Sequence, residues 1–159
     1  MIQSLQSLRF VFAIMIFLHH ASLFEAGGSC GVSFFMILSG FVMSVGYETK
    51  VQTASFSYKN FIAKRLIRVY PLHLLCLLGF IIFHFFLLSA GGWFKLLPNL
   101  LLLQSWIPER SYYFSGNAVS WCLSCMLFFY LSFPFLIKGL NKYSARTICI
   151  TSILVLLVY

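Results

Sequence analysis

Leu8-Arg9-Phe10-Val11-Phe12-Ala13-Ile14-Met15-Ile16-Phe17-Leu18-His19-His20 sets two ionisable groups, Arg9 and His20, on either side of an uninterrupted apolar run. Their separation of eleven residues is close to three helical turns. On a helix both side chains therefore share one face, roughly 16 Å apart along the axis. The run continues to about Phe24 and reads as a first membrane span. An ionisable group at that depth is costly in lipid and marks a functional position by default.

The rest of the chain has the same character. Of 159 residues, 61% are hydrophobic and 9% charged. A soluble domain carries about 25% charged residues, so the composition implies a polytopic membrane protein. A second span runs from about Cys30 to Gly46, after a glycine-containing turn at Glu25–Ser29. The basic segment Tyr47–Lys64 reads as a solvated loop, followed by a third span from about Val69 to Ala90. Phe94–Ile107 is apolar but short and carries Pro98 and Asn99, which suits a re-entrant or interfacial segment. Tyr112, Tyr113, Phe114 and Trp121 form an aromatic belt ahead of a fourth span at about Ala118–Ile137. Thr147–Tyr159 begins a fifth, too short for the roughly 20 residues that cross a bilayer. The expected fold is an all-α, polytopic transmembrane helical bundle of about four full spans, a truncated fifth and the short segment. No cleavage site of small residues follows the first apolar run, so an uncleaved helix fits better than a signal peptide.

The net charge of +8 is distributed by side. Lys50, Lys59, Lys64, Arg65 and Arg68 lie in one connection, and Lys138, Lys142 and Arg146 in another. Together with Arg9 they make nine of the eleven basic residues; Lys95 and Arg110 fall in the connection between. The positive-inside rule then puts the N-terminus and both basic connections in the cytoplasm. This placement explains the charge by a lipid bilayer and not by a nucleic acid partner. The five cysteines are scattered through apolar stretches and show no disulfide framework.

Several constellations admit both a structural and a chemical reading. Gly27, Gly31, Gly40 and Ser44 allow close helix packing, while Ser39 among them either packs or lies beside a substrate path. Arg65 and Arg68 share a helix face where the basic connection enters the third span. They either anchor the helix among lipid headgroups or grip a phosphorylated ligand. His20 is either a hydrogen-bonded core histidine or a general base, and His19 points about 100° away from it. His73 and His84 have no matching pair on a second helix, which argues against haem. Cys122 and Cys125 have no evident partner ligands and are read as packing residues. Asn117, Ser120, Trp121 and Ser124 either make interhelical hydrogen bonds or line an acceptor site.

Four stretches, in order, carry a family likeness: Leu8-Arg9 with His20; Gly31-Val32 through Ser39-Gly40-Phe41; Arg65 and Arg68 with Tyr70-Pro71; and Ser120-Trp121 with Ser124, Phe129-Tyr130 and Pro134. The chain thereby resembles membrane-bound acyltransferase family 3, polytopic O-acyltransferases that modify bacterial surface polysaccharides and related acceptors. The resemblance implies that residues 1–159 form the N-terminal part of one transmembrane acyltransferase domain in the bacterial inner membrane. It implies acyl transfer from acetyl-CoA or another acyl-CoA to a carbohydrate hydroxyl, without a metal. Carried over by motif, His20 is catalytic and Arg65 and Arg68 bind the donor, with Arg9, Ser39, Trp121 and Ser124 in support. Two positions depart from the pattern. Met126 stands where a glutamate is usual, and His73 where an aromatic residue is common. The departure at Met126 keeps open a non-catalytic remnant or partner subunit. Arg9 and His20 lining a conduction path would instead suit a small transporter or channel component.

The topology is checked by single cysteines, Ser57→Cys and Tyr112→Cys, in a background lacking the native five. An impermeant thiol reagent should label them from opposite sides of the membrane. Labelling of both from one side contradicts the arrangement.

Overall fold

Apolar runs closed by polar caps fold as helices along the chain, and no strand occurs among the described residues. The structure, a computed structural model, describes residues 3–53 and 55–158, with side chains described for 7–53 and 55–154. The helices are α1 (Gln3–His20), α2 (Gly27–Gln52), α3 (Tyr58–His84), α4 (Ala90–Leu100), α5 (Arg110–Tyr113), α6 (Trp121–Leu140) and α7 (Ala145–Val158). Short 3-10 turns at Gln104–Trp106 and Ala118–Ser120 flank α5. Three stretches among the described residues are helical, long and apolar enough to cross a membrane: Gly27–Gln52, Tyr58–His84 and Ala118–Leu140. Ser7–His20 and Ala145–Leu154 are apolar but shorter.

The boundaries correct one expectation. Most of Tyr47–Lys64 is helical, because α2 runs on to Gln52 and α3 begins at Tyr58. Charge does not end a helix here, since Lys and Arg are good helix formers whose aliphatic stems cover apolar surface while their heads reach water. What starts α3 is a cap: the Ser57 side chain accepts the Asn60 N–H at 3.4 Å. Ser89 caps α4 in the same way, accepting the Gly92 N–H at 3.3 Å. Such caps satisfy donors that a helix start leaves orphaned.

The chain divides into two compact units, residues 1–47 and 48–159. In the first, α1 reverses into α2 through a tight turn. Leu23 N–H donates to the Leu18 carbonyl at 2.9 Å and Ser22 N–H to the His19 carbonyl at 3.0 Å. Ser22 sits at φ 59°, the left-handed position at which such helix ends close. The α1–α2 crossing needs glycine. A Cβ at Gly27 would lie 2.3 Å from the Met15 carbonyl oxygen, and one at Gly31 2.4 Å from the Ile16 side chain. Phe12 and Phe34 stack across the same crossing, with ring centroids 3.9 Å apart.

In the second unit α3 packs on α6 through aromatic rings. Phe61 and Phe133 stack at 5.7 Å, and the Tyr58 hydroxyl donates to the Leu131 carbonyl at 3.2 Å. The short segment after α4 folds onto α6. Its turn uses the same closure as α1: Leu103 N–H donates to the Pro98 carbonyl at 2.8 Å and Leu102 N–H to the Asn99 carbonyl at 3.0 Å. Leu102 is left-handed at φ 55° yet buried. That conformation costs roughly 1–2 kcal/mol, which the two backbone hydrogen bonds of the turn and the packing of the side chain offset.

Gly27→Ala should destabilise the N-terminal unit by about 1–3 kcal/mol, because the clash is with backbone and cannot be relieved by a rotamer change. Gly40→Ala should instead gain up to about 1 kcal/mol from helix propensity, since its Cβ meets no described atom within 4 Å. Denaturant titration of the full-length protein in detergent reads both signs.

Candidate functional site

His20 is the last residue of α1 and is exposed, while Arg9 lies half-buried earlier on the same unbroken helix. His19 differs from it as the helical period requires. Its ring packs against α2 so closely that a Cβ on Gly28 would fall 2.5 Å from the His19 Cδ2. Its Nδ1 is buried without a hydrogen-bond partner among the described residues. The two rings lie 5.4 Å apart, tilted by 49°. Packing therefore fixes His19 and leaves His20 accessible, the property a proton acceptor for an incoming hydroxyl needs. Ser39 is half-buried on α2.

The two arginines of α3 divide by environment. The Arg65 guanidinium lies over the Phe61 ring at 5.5 Å and over the Tyr130 ring of α6 at 5.6 Å. It thus braces α3 against α6 through its planar face, while a guanidinium keeps its N–H donors at its edge. Arg68, one turn on, is exposed. The pair shares one side of α3, as the three-residue spacing requires.

Trp121 and Ser124 hold the folded-back segment. The Ser105 hydroxyl donates to the Trp121 carbonyl at 3.0 Å, and the Ser105 N–H to the Ser124 hydroxyl oxygen at 3.2 Å. The Trp106 indole N–H donates to the Ser124 carbonyl at 3.2 Å. Beside them lies a buried polar cluster in which Ser120, read in the sequence as a hydrogen-bonding residue, joins His73, Asn99 and Gln104, a grouping that sequence reading missed. His73 Nε2 meets the Asn99 carbonyl at 3.0 Å, and the Tyr70 hydroxyl donates to the Leu100 carbonyl at 2.5 Å. The available signal was Asn99 and Gln104 in an otherwise apolar stretch, since buried amides are kept where they find partners.

Arg9, His20 and Ser39 belong to the N-terminal unit, and Arg65, Arg68, Trp121 and Ser124 to the larger one. The carboxylates sit elsewhere. Glu25 is exposed, Glu48 Oε1 accepts from the Gln52 amide at 3.2 Å, and Glu109 Oε1 accepts from the Ser111 hydroxyl. Met126, where a glutamate was expected, is half-buried on α6. Cys122 and Cys125 are free thiols, with the Cys122 thiol directed at the Val119 carbonyl 3.1 Å away. No group of three or more His, Cys, Asp or Glu suited to a metal occurs among the described residues.

A family model described as an acyltransferase domain, that of acyltransferase family 3, matches residues 2–159. Acyltransferase MdmB from Streptomyces mycarofaciens is 39% identical over 124 residues, covering 75% of this chain and 31% of that protein. The chain therefore spans about a third of the length of this curated relative. No solved structure matches the chain.

Removing the brace at Arg65 should be felt in stability. Arg65→Gln or Tyr130→Leu should lower unfolding stability by about 0.5–2 kcal/mol through the lost cation–π contact. Arg68→Gln should stay within about 0.5 kcal/mol, as exposed substitutions do. Denaturation of the three variants side by side distinguishes them.

Proposed function

The chain belongs to acyltransferase family 3, and from that premise we propose that the protein containing it moves an acyl group, acetyl in the simplest case, from acyl-CoA to a carbohydrate hydroxyl. The observation that carries this reading is His20, accessible at the end of an apolar helix that also holds Arg9. His20 takes the proton of the acceptor hydroxyl as its oxygen attacks the thioester carbonyl carbon. The C–S bond breaks, an ester forms, and the CoA thiolate leaves and takes up a proton. An imidazole suits this role because one ring nitrogen can accept a proton and later release it.

Arg68 contacts the donor phosphates directly in this reading, and Arg65 presents its edge beside it while stacked on Phe61 and Tyr130. Trp121 and Ser124 hold the folded-back segment in place, and Ser39 and Arg9 support the first-helix site. The setting is the bacterial inner membrane with the N-terminus and both basic connections cytoplasmic. Residues 1–159 contribute one part of the transmembrane domain.

Met126 favours a second reading, a family member with weak or no transfer activity. A thioether accepts hydrogen bonds only weakly, whereas a carboxylate in its place orients a histidine within reach.

The test uses labelled acetyl-CoA and membranes containing the full-length protein. Donor-dependent label on a carbohydrate acceptor is expected, and Arg68→Ala should raise the KM for acyl-CoA roughly 10- to 100-fold through lost charge-assisted hydrogen bonds. Met126→Glu should raise the rate. Solute flux without acylation would move the assignment to a transporter, and unchanged donor KM in Arg68→Ala would return the arginine to a lipid anchor.

A further inference from the structure

The buried cluster formed by His73 of α3, Asn99 of α4, and Gln104 and Ser120 of the two 3-10 turns leaves three acceptors unsatisfied among the described residues. Asn99 and Gln104 are 0% exposed and His73 2%. The pairings fix which atoms of the cluster donate and which accept. The Ser115 carbonyl only accepts, so the Asn99 amide turns its NH2 toward it at 2.5 Å. The Ser120 hydroxyl gives its proton to the Asn117 carbonyl at 2.6 Å. Ser120 Oγ then offers only lone pairs, to the NH2 of Gln104 at 3.0 Å and of Asn99 at 3.4 Å. His73 Nε2 faces the Asn99 carbonyl, another pure acceptor, and so carries the ring proton. What remains is Asn99 Oδ1, Gln104 Oε1 and His73 Nδ1, all without a hydrogen-bond partner among the described residues.

All three leftover groups are acceptors in a neutral cluster. They cannot satisfy one another, and a buried acceptor left bare is costly. Only an added donor satisfies these three acceptors. A cation is a poor candidate: neither Glu48 nor Glu109 is buried, and burying an uncompensated charge is far costlier than burying a hydroxyl. We propose that the His73–Asn99–Gln104 cluster is a binding site for neutral hydroxyl donors and receives a hydroxyl of the alcohol acceptor. This rests on the acyl-transfer reading for the identity of the alcohol, and water shares the same chemistry. Gly116 borders the site: at φ 58°, a Cβ there would lie 3.3 Å from Asn99 Cγ.

The experiment uses full-length protein in nanodiscs with methyl α-glucoside as the probe and its per-O-methylated counterpart as the donor-free control. Thermal midpoints and millisecond radiolytic labelling of His73 in oxygen-18 water are both read without acyl-CoA. A saturable rise in midpoint with methyl α-glucoside alone, weakened roughly tenfold in apparent affinity by Gln104→Met, supports the alcohol. Strong His73 labelling with no sugar response assigns the site to water and overturns the acceptor role. No sugar response together with no labelling overturns the site altogether, and this comparison in the unaltered protein stands even if Gln104→Met fails to fold. Acyl transfer is assayed separately, so a sugar response without transfer would refute the proposed function and leave the site.

Discussion

The Ser120 hydroxyl donates to the Asn117 carbonyl and accepts from the Asn99 and Gln104 amides, and through these bonds α4, the turn after it and α6 are held together. In hydrocarbon, polar groups have no water to turn to, so irregular backbone survives only where the protein supplies partners. The segment from Leu101 to Trp106 is irregular, and its Ser105 N–H, Ser105 hydroxyl and Trp106 indole N–H are answered by Trp121 and Ser124 on α6. Without these bonds three donors of the segment would lose their partners.

Much of the fold was legible in the sequence because apolar runs of span length have few physical interpretations. The long helices and the glycine-mediated approach at Gly27 and Gly31 follow from length and residue size. The link between α2 and α3 was less legible, because lysine and arginine suit both a loop and a helix end, and only the Ser57 cap decides. Gly40 resembled Gly31 in sequence, yet only Gly31 meets a neighbouring helix. Small size permits close approach without demanding it. The polar cluster was illegible for a related reason: His73, Asn99 and Ser120 are far apart in sequence, and only tertiary packing reveals that they share one network.

The site residues separate along similar lines. The alternation of His19 and His20 was expected from helical period, and packing gives it meaning: Gly28 holds one imidazole and leaves the other accessible. The pairing of Arg65 with Arg68 was visible as a spacing, whereas their different environments depend on Tyr130 from another helix. An arginine stacked by its face is pre-organised, and one beside it in solvent is adaptable. Such a division suits recognition of a flexible, polyanionic donor. Met126 remains the residue at which the chemistry expected of the family and the side chain present diverge.

The central claim is that the accessible histidine at the end of α1 is the proton acceptor in acyl transfer. Its most direct test compares His20→Ala with His19→Ala in the full-length protein, measuring acyl transfer and acyl-CoA binding at matched membrane levels. The account predicts a loss of at least roughly 10²-fold in turnover for His20→Ala, with donor binding retained and a much smaller loss for His19→Ala. Equal losses in both variants, or undiminished transfer by His20→Ala, would contradict it.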